Sequence, residues 1–356
     1  MQAVTTVGAV EGDAVDGVDV ERVQHWFTEH VPGATLPLRF ELIAGGRSNL
    51  TYRVTDAAGS RYALRRPPLS HVLPTAHDMG REFRVISALG PTSVPVPRAL
   101  GLCEDAEVNG QPFYVMEFVD GHILRDAQNA ERALDEGARR RAGQSLAETL
   151  AELHAVDVDA VGLGGFAKRE GYIERQLRRW FEQFSNSHVD GVDTASIVTE
   201  VHDRLAADIP PQEGAAIVHG DYRLDNTVLG DDGQVRAVLD WEICTLGDPL
   251  ADVGLLMVYW TEPGDVAALL GVTPTTVPGF PTRAEMRAWY AERSGRDLER
   301  LDFYVAFGYW KLACILQGVY ARYVGGATAG DRSSVDGFAQ SVVTLAEAAR
   351  TTLEAR

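Results

Sequence analysis

Cysteine, positive charge and long apolar runs are all scarce in this sequence, and each shortage excludes something. Cys103, Cys244 and Cys314 are the only cysteines in 356 residues. They are far apart in apolar surroundings, so they read as small buried hydrophobes in a reducing compartment, with neither a disulfide framework nor metal-ligand spacing. Thirty-three Lys and Arg stand against 51 Asp and Glu, a net charge of −18. General binding to nucleic acid or to an anionic membrane needs a basic face and is not expected. The acidic surplus fits surface carboxylates kept for solubility. No stretch approaches the ~18 apolar residues of a membrane span, and the first residues lack the basic and apolar regions of a signal peptide. A cytoplasmic protein is expected. The hydrophobic share of 45% and charged share of 24% are ordinary for a globular chain, and the length suits about two structural units.

What is present centres on Ile217 to Asp252. Two apolar runs, Thr227–Leu229 and Val235–Leu239, flank Gly230, Asp231, Asp232 and Gly233 and predict a β-hairpin. His219, Asp221 and Asn226 precede the first strand and Asp240 ends the second, so the hairpin should draw Asn226 and Asp240 together. A carboxylate and an amide oxygen suit Mg²⁺, which keeps several waters and takes further ligands from substrate phosphates. Asp221 is then placed to accept a proton from a hydroxyl brought to that phosphate. The alternative is a solvated acidic hairpin with one core histidine. Four polar positions in order around a hairpin favour the site.

H-G-D-Y-R-L-D-N (219–226), L-D-W-E (239–242) and G-D-P-L-A-D (247–252) resemble the phosphotransferase family of aminoglycoside phosphotransferases and choline kinases, relatives of the protein kinases. The resemblance implies an α+β, bilobal, protein-kinase-like fold, with a five-stranded antiparallel N-lobe plus one helix over residues 21–119. A mainly helical C-lobe would follow over 120–356, after a mobile tail over 1–20. It implies Asp221 as catalytic base, Asn226 and Asp240 as Mg²⁺ ligands, His219 as the holder of the loop, and Asp248 and Asp252 as structural acids. ATP is the implied nucleotide, with GTP as the other candidate.

In chain order, Leu38–Ala44, Leu50–Thr55 and Arg61–Arg66 predict strands. The loop Gly45, Gly46, Arg47, Ser48, Asn49 can turn backbone N–H groups toward phosphate, with Gly45, Gly46, Ser48 and Asn49 as its nucleotide contacts. A helix over Thr75–Leu89 puts Glu82 on its apolar face, where a carboxylate needs a cation. Arg65 supplies one. In the resembling family this position pairs the helix glutamate with the α- and β-phosphates but carries lysine, so arginine is a departure. Ala99–Glu104 and Gln111–Phe118 are two further strands, with Asn109-Gly110 as a hairpin signal. The family's adenine-binding hinge falls at Glu117 and Val119. Helices follow over Glu131–Ala155, Tyr172–Phe184, Thr194–Ala207, Leu250–Trp260, Arg283–Arg293, Asp302–Tyr323 and Val335–Ala355, and His154 reads as structural.

By resemblance, the last long helices wall the acceptor site, with Trp310, Lys311 and Arg322 on that wall. Asp302 is the single acid from Asp302 to Arg322. Polycationic aminoglycosides would be poorly held there, so a neutral or anionic hydroxyl compound is expected. G-G-R-S-N-L-T-Y, L-R-R-P-P and W-K-L-A-C-I-L-Q-G-V-Y-A-R are most similar to kinase-like domains fused to acyl-CoA dehydrogenases, which implies a hydroxyacyl-type metabolite. The expected protein is therefore an ATP- and Mg-dependent small-molecule kinase, monomer or homodimer. The alternatives are an aminoglycoside O-phosphotransferase and a catalytically weak nucleotide-binding regulator.

Overall fold

The computed structural model describes residues 15–44, 49–69, 78–187, 189, 193–212, 214–265, 273–324 and 335–355. Its contacts divide it into two units, the chain up to Asp120 together with Ala237–Glu242, and the remainder.

In the first unit, strands β1 (Arg39–Ala44), β2 (Leu50–Thr55) and β3 (Arg61–Arg66) follow one another, β1 almost wholly exposed and β3 buried over its last four residues. With β4 (Ala99–Cys103) and β5 (Phe113–Glu117) they form an antiparallel sheet in the order β1-β2-β3-β5-β4. Register sets Leu64 between Tyr52 and Val115, and these three join Val54 and Phe113 in the core. Helix α1 (Val20–His30) closes that core with Val23, Trp26 and Phe27. Its start is fixed by Asp19, whose side chain accepts from Arg22 N–H at 3.1 Å. Residues 15–20 are therefore structured rather than tail. Val15 bridges Val18, and Asp16 O accepts from the Tyr52 hydroxyl at 2.5 Å.

Helix α2 (Met79–Leu89) buries Met79, Glu82, Val85, Ile86 and Leu89. Asp78 caps it, accepting from Arg81 N–H; the earlier residues of the expected helix, 75–77, lie outside the described ones. The link between β4 and β5 differs from the expected Asn-Gly hairpin. Asp105 caps a short helix, α3 (Ala106–Asn109), and Gly110 ends it at φ 71°. Asn109 is drawn inward instead, its Oδ1 accepting from Asp19 N–H at 2.8 Å.

The second unit is mainly helical. The helix expected over Glu131–Ala155 is two, α4 (Ala127–Ala133) and α5 (Glu136–Ala155), because Leu134 is extended and Asp135 caps α5 through Ala138 N–H. Next come α6 (Tyr172–Ser185) and α7 (Ala195–Ala207), then β6 (Ala216–Val218), β7 (Thr227–Leu229), β8 (Val235–Val238) and β9 (Thr245–Gly247). β6 pairs with β9, and β7 with β8, as the hairpin signal predicts. Helices α8 (Leu250–Tyr259), α9 (Arg283–Ser294), α10 (Leu301–Val324) and α11 (Val335–Glu354) complete the chain. α8 and α10 approach closely at Gly254, where a Cβ would lie 2.4 Å from the Tyr304 carbonyl carbon. Among the described residues no helix is long and apolar enough to cross a membrane.

Candidate active site

Within the first unit, β3 turns Leu64 to the core and Arg65 to the opposite face. Arg65 meets two carboxylates. Its Nε is 2.9 Å from Glu82 Oε2, off line for a hydrogen bond, and its Nη2 donates to Asp240 Oδ1 at 2.5 Å. Glu82 is held from two further directions. Tyr114, opposite Arg65 in the sheet, donates its hydroxyl to Oε2 at 3.0 Å, and Asn49 Nδ2 donates to Oε1 at 2.6 Å. The same amide reaches Glu242 Oε2 at 3.4 Å.

Glu82 is 1% exposed. Burial pushes its carboxyl up to about 7, against the pull of the Arg65 charge and with the push of Asp240. Arg65 goes the other way: burial favours losing the charge, but Glu82, Tyr114, Asp240 and Glu242 outweigh it and hold the guanidinium charged. Asp240 has φ 64°, the positive φ of a non-glycine residue among the described ones. Such backbone costs of order 1–3 kcal/mol and clusters at functional sites. Glu117 ends β5 with its N–H donating to Arg98 O at 2.9 Å. Gly45, Gly46 and Ser48 lie outside the described residues, and Val119 makes no described hydrogen bond that bears on the hinge expectation.

Within the second unit, the turn after β6 is held by buried groups from distant segments. Asp252, in the first turn of α8, accepts from His219 N–H at 2.6 Å and Gly220 N–H at 2.8 Å, and His154 Nε2 lies 3.4 Å away. Burial alone would raise Asp252, but the bonds from His154 and Gly220 and the nearby imidazoles hold it below the usual range. His154 is pushed down by burial, against Asp252, and its Nδ1 is 2.8 Å from the Tyr290 hydroxyl. His219 Nδ1 accepts from Asp221 N–H at 3.3 Å. Lys311 of α10 donates to Gly220 O at 3.0 Å. Asp248 accepts from the Tyr304 hydroxyl at 2.7 Å and from Leu250 N–H at 3.1 Å, and burial raises its pKa.

The Asp221 side chain sits among polar partners. Asn226 Nδ2 donates to Asp221 O at 2.8 Å and to its Oδ2 at 2.9 Å. Arg223 Nε is 3.3 Å from Asp221 Oδ2 and 2.9 Å from Asp225 Oδ1. The Arg223 guanidinium lies 4.9 Å from the Tyr259 ring centroid. Burial, then the Asp221 charge and a hydrogen bond to it, keep Tyr259 protonated well beyond the usual range.

Among the described residues no group of three or more His, Cys, Asp or Glu forms a metal cage. Asn226, with its amide nitrogen committed to Asp221, has Oδ1 to offer a cation. Such a hard oxygen donor suits Mg²⁺, which completes its shell with water and phosphate.

Sequence reasoning missed Tyr114, Glu242, Arg223 and Tyr259. Arg223 carried a signal, lying between two acids in D-Y-R-L-D; Tyr259, at the far end of α8, carried none. The residues expected on the acceptor wall divide by burial. Trp310 is 0% exposed, its Nε1 donating to Val198 O at 3.0 Å, and Lys311 is 6% exposed. α10 is buried for most of its length, so its middle belongs to the interior; Arg322, near its end, is exposed.

Residues 39–304 match the model of the phosphotransferase enzyme family. The chain is 35% identical over 297 residues to mouse acyl-CoA dehydrogenase family member 10, covering 82% of this chain and 27% of that protein. It is 36% identical over 313 residues to chicken acyl-CoA dehydrogenase family member 11, covering 85% and 39%. The chain thus spans a quarter to two fifths of the length of these relatives. Among solved structures, a provisionally assigned aminoglycoside phosphotransferase from Ralstonia eutropha superposes with a TM-score of 0.76 at 33% identity, covering 93% of this chain and 98% of that one. The ADP-bound aminoglycoside phosphotransferase APH(2'')-Ib has the same fold, with a TM-score of 0.59 at 14% identity, covering 93% and 99%. The chain therefore belongs to the phosphotransferase enzyme family and is a small-molecule kinase.

Proposed function

We propose that the chain moves the γ-phosphoryl group of ATP to a hydroxyl of a neutral or anionic small molecule, with a hydroxyacyl thioester as the favoured acceptor. The observation that carries this reading is the Asp221 carboxylate, held at 2.9 Å by Asn226 and flanked by Arg223. Asp221 takes the proton of the acceptor hydroxyl as its oxygen bonds to the γ-phosphorus and the bond to the β,γ-bridging oxygen breaks, releasing ADP; Asn226 and Tyr259 fix the orientation of Asp221. A base so placed contributes about 10² to 10⁴ in rate. Asn226 and Asp240 would hold Mg²⁺, which neutralises developing charge on the phosphates when bound; the motif order supports that pairing. Arg65, kept charged and fixed by Glu82, would fork onto the α- and β-phosphates, with Asn49 beside it. The hinge at Glu117 and Val119 would take the adenine through its backbone. The ADP-bound relative of this fold supports an adenine nucleotide.

The acceptor class draws support from charge. Arg223 lies beside Asp221, and Arg125 acts on Asp225. A polycation would meet repulsion from these groups, whereas a carboxylate or the phosphates of a coenzyme A thioester would not. The names of the dehydrogenase relatives support an acyl thioester.

Phosphate transfer from labelled ATP over a panel of hydroxy acids, hydroxyacyl thioesters, choline and aminoglycosides tests the reading. Asp221→Asn is expected to lower turnover at least 100-fold with ATP affinity nearly intact, and Asp240→Ala to lose Mg²⁺-dependent ATP binding. Transfer to aminoglycosides alone would overturn the acceptor class. Mg²⁺-dependent ATP binding without transfer to any acceptor would favour a regulator.

A further inference from the structure

Lys311 is an unusual residue in an unusual place. The sequence holds lysine at two positions, Lys168 and Lys311, and every other basic position of the Lys or Arg type carries arginine. Lys168 is in a loop, but Lys311 is in the middle of α10, 6% exposed, on a helix whose buried neighbours are Trp310, Leu312, Ala313 and Cys314. An ammonium removed from water is costly, and burial accordingly drives the Lys311 pKa down, with the Asp221 and Asp252 charges pulling it back up. A methionine or leucine would be the ordinary occupant of such a slot.

The ammonium makes one described hydrogen bond, to Gly220 O at 3.0 Å, and lies 5.7 Å from the centroid of the Trp180 ring on α6. That bond completes a clamp. Asp252 takes the N–H groups of His219 and Gly220, His219 Nδ1 takes the N–H of Asp221, and Lys311 takes the carbonyl that precedes Asp221. Gly220 has φ 86°, and a Cβ there would stand 3.0 Å from Ile243 carbons, so the peptide is confined by packing as well.

We propose that Lys311 is a positioning residue for phosphoryl transfer: from α10 it fixes the Gly220–Asp221 peptide, and with it the aim of the Asp221 carboxylate. The one described oxygen that Lys311 meets is the Gly220 carbonyl, and a point-like ammonium serves a single acceptor with fewer buried donors left over than a guanidinium fork. The inference rests on the phosphotransfer reading above and adds a residue that touches neither nucleotide nor acceptor.

The test compares the full-length parent, Asp221→Asn, Lys311→Met and Lys311→Ala in Mg²⁺-ATP turnover, by transfer to the best acceptor of the panel or by slow hydrolysis. Methionine matches the shape of lysine without its donors. Lys311→Met is expected to cut kcat by about 10- to 100-fold with the KM for ATP changed less than about threefold and with the melting temperature held or raised. n-Propylamine, but not n-propanol, is expected to restore part of the kcat of Lys311→Ala. A merely structural lysine would lower the melting temperature in step with activity and show no amine rescue, and either that pattern or full activity of Lys311→Met overturns the proposal. If the parent itself has no turnover, the phosphotransfer reading fails, and amide hydrogen exchange over residues 216–224 decides the Lys311 clamp separately. Faster exchange there in Lys311→Met at unchanged global stability supports the clamp, and unchanged exchange refutes it.

Discussion

Replacing Asp252 by asparagine changes one oxygen for an NH₂ group and nothing in shape, which makes it a clean probe of the turn that carries Asp221. Asp252 is 1% exposed, and its two oxygens accept separate backbone N–H groups, Oδ2 from His219 and Oδ1 from Gly220. Asparagine has one acceptor oxygen, so one of these N–H groups must face an amide N–H. The bond lost is to a charged acceptor, about 1.5–3 kcal/mol, and the buried donor left behind costs about 1–3 kcal/mol more. A total of roughly 3–5 kcal/mol is a large share of the ~5–15 kcal/mol by which a domain is stable. At ~2–4 °C per kcal/mol for a domain of this size, melting followed by circular dichroism should fall by roughly 10 °C. The pH dependence carries a sign. Asp252 is depressed below its unfolded value of 3.8, so its stabilisation is complete above that pH and fades as the pH falls through the folded value. The gap between parent and Asp252→Asn should therefore narrow in acid. Melting within ~2 °C of the parent at neutral pH would refute the idea that this carboxylate ties the turn.

Three further outcomes are expected. Arg65→Met strands the buried Glu82 and should cost about 3–5 kcal/mol in urea unfolding, while Arg65→Met with Glu82→Leu should recover most of it; additive losses would mean that the two residues do not act as a pair. His154 is lowered from 6.5 by burial, so the unfolded chain binds a proton that the folded chain does not, and stability should fall as the pH drops below 6.5. His154→Gln should flatten the melting temperature between pH 7.5 and 5.5, and an unchanged slope would remove His154 from the account. Gly254→Ala should lower stability by at least ~2 kcal/mol, because its Cβ would stand 2.4 Å from the Tyr304 backbone; a neutral effect on urea unfolding would mean that α8 and α10 can separate at little cost.

Strands and helices with strong periodicity were legible in the sequence, because burial on one face writes a pattern of two or of 3.6 into the chain. The β7–β8 hairpin follows instead from two apolar runs around the turn at Gly230–Gly233. The Asn109-Gly110 signal misled because turn propensity is local, whereas Asn109 answers to Asp19, 90 residues away. The break between α4 and α5 was hidden by apolar residues that keep near-helical spacing across Leu134, and the stronger signal was Asp135 as a cap. In the site, residues inside the motifs could be named, while Tyr114 and Tyr259 could not. A tyrosine in an apolar run has the signature of core, and only the fold reveals which carboxylate its hydroxyl meets.

The same distinction explains why Arg65 could be named from sequence as a partner of Glu82 while the carbonyl that Lys311 meets could not. Arg65 follows the alternation of a strand, and its neighbour Glu82 stands out as an acid on an apolar helix face; two anomalies close in sequence point to each other. Lys311 is a single anomaly, whose partner is a backbone carbonyl with no side chain to announce it. The chemistry then differs as the partners do. Arg65 must satisfy Glu82 and Asp240 at once, and a planar fork with several donors can reach two carboxylates from one position. Lys311 has one carbonyl to hold within a narrow interior, where a point-like ammonium is the smaller perturbation. Arginine in the strand and lysine in the helix are thus set by the number and geometry of the oxygens each must meet, and that geometry can be read only after the chain has folded.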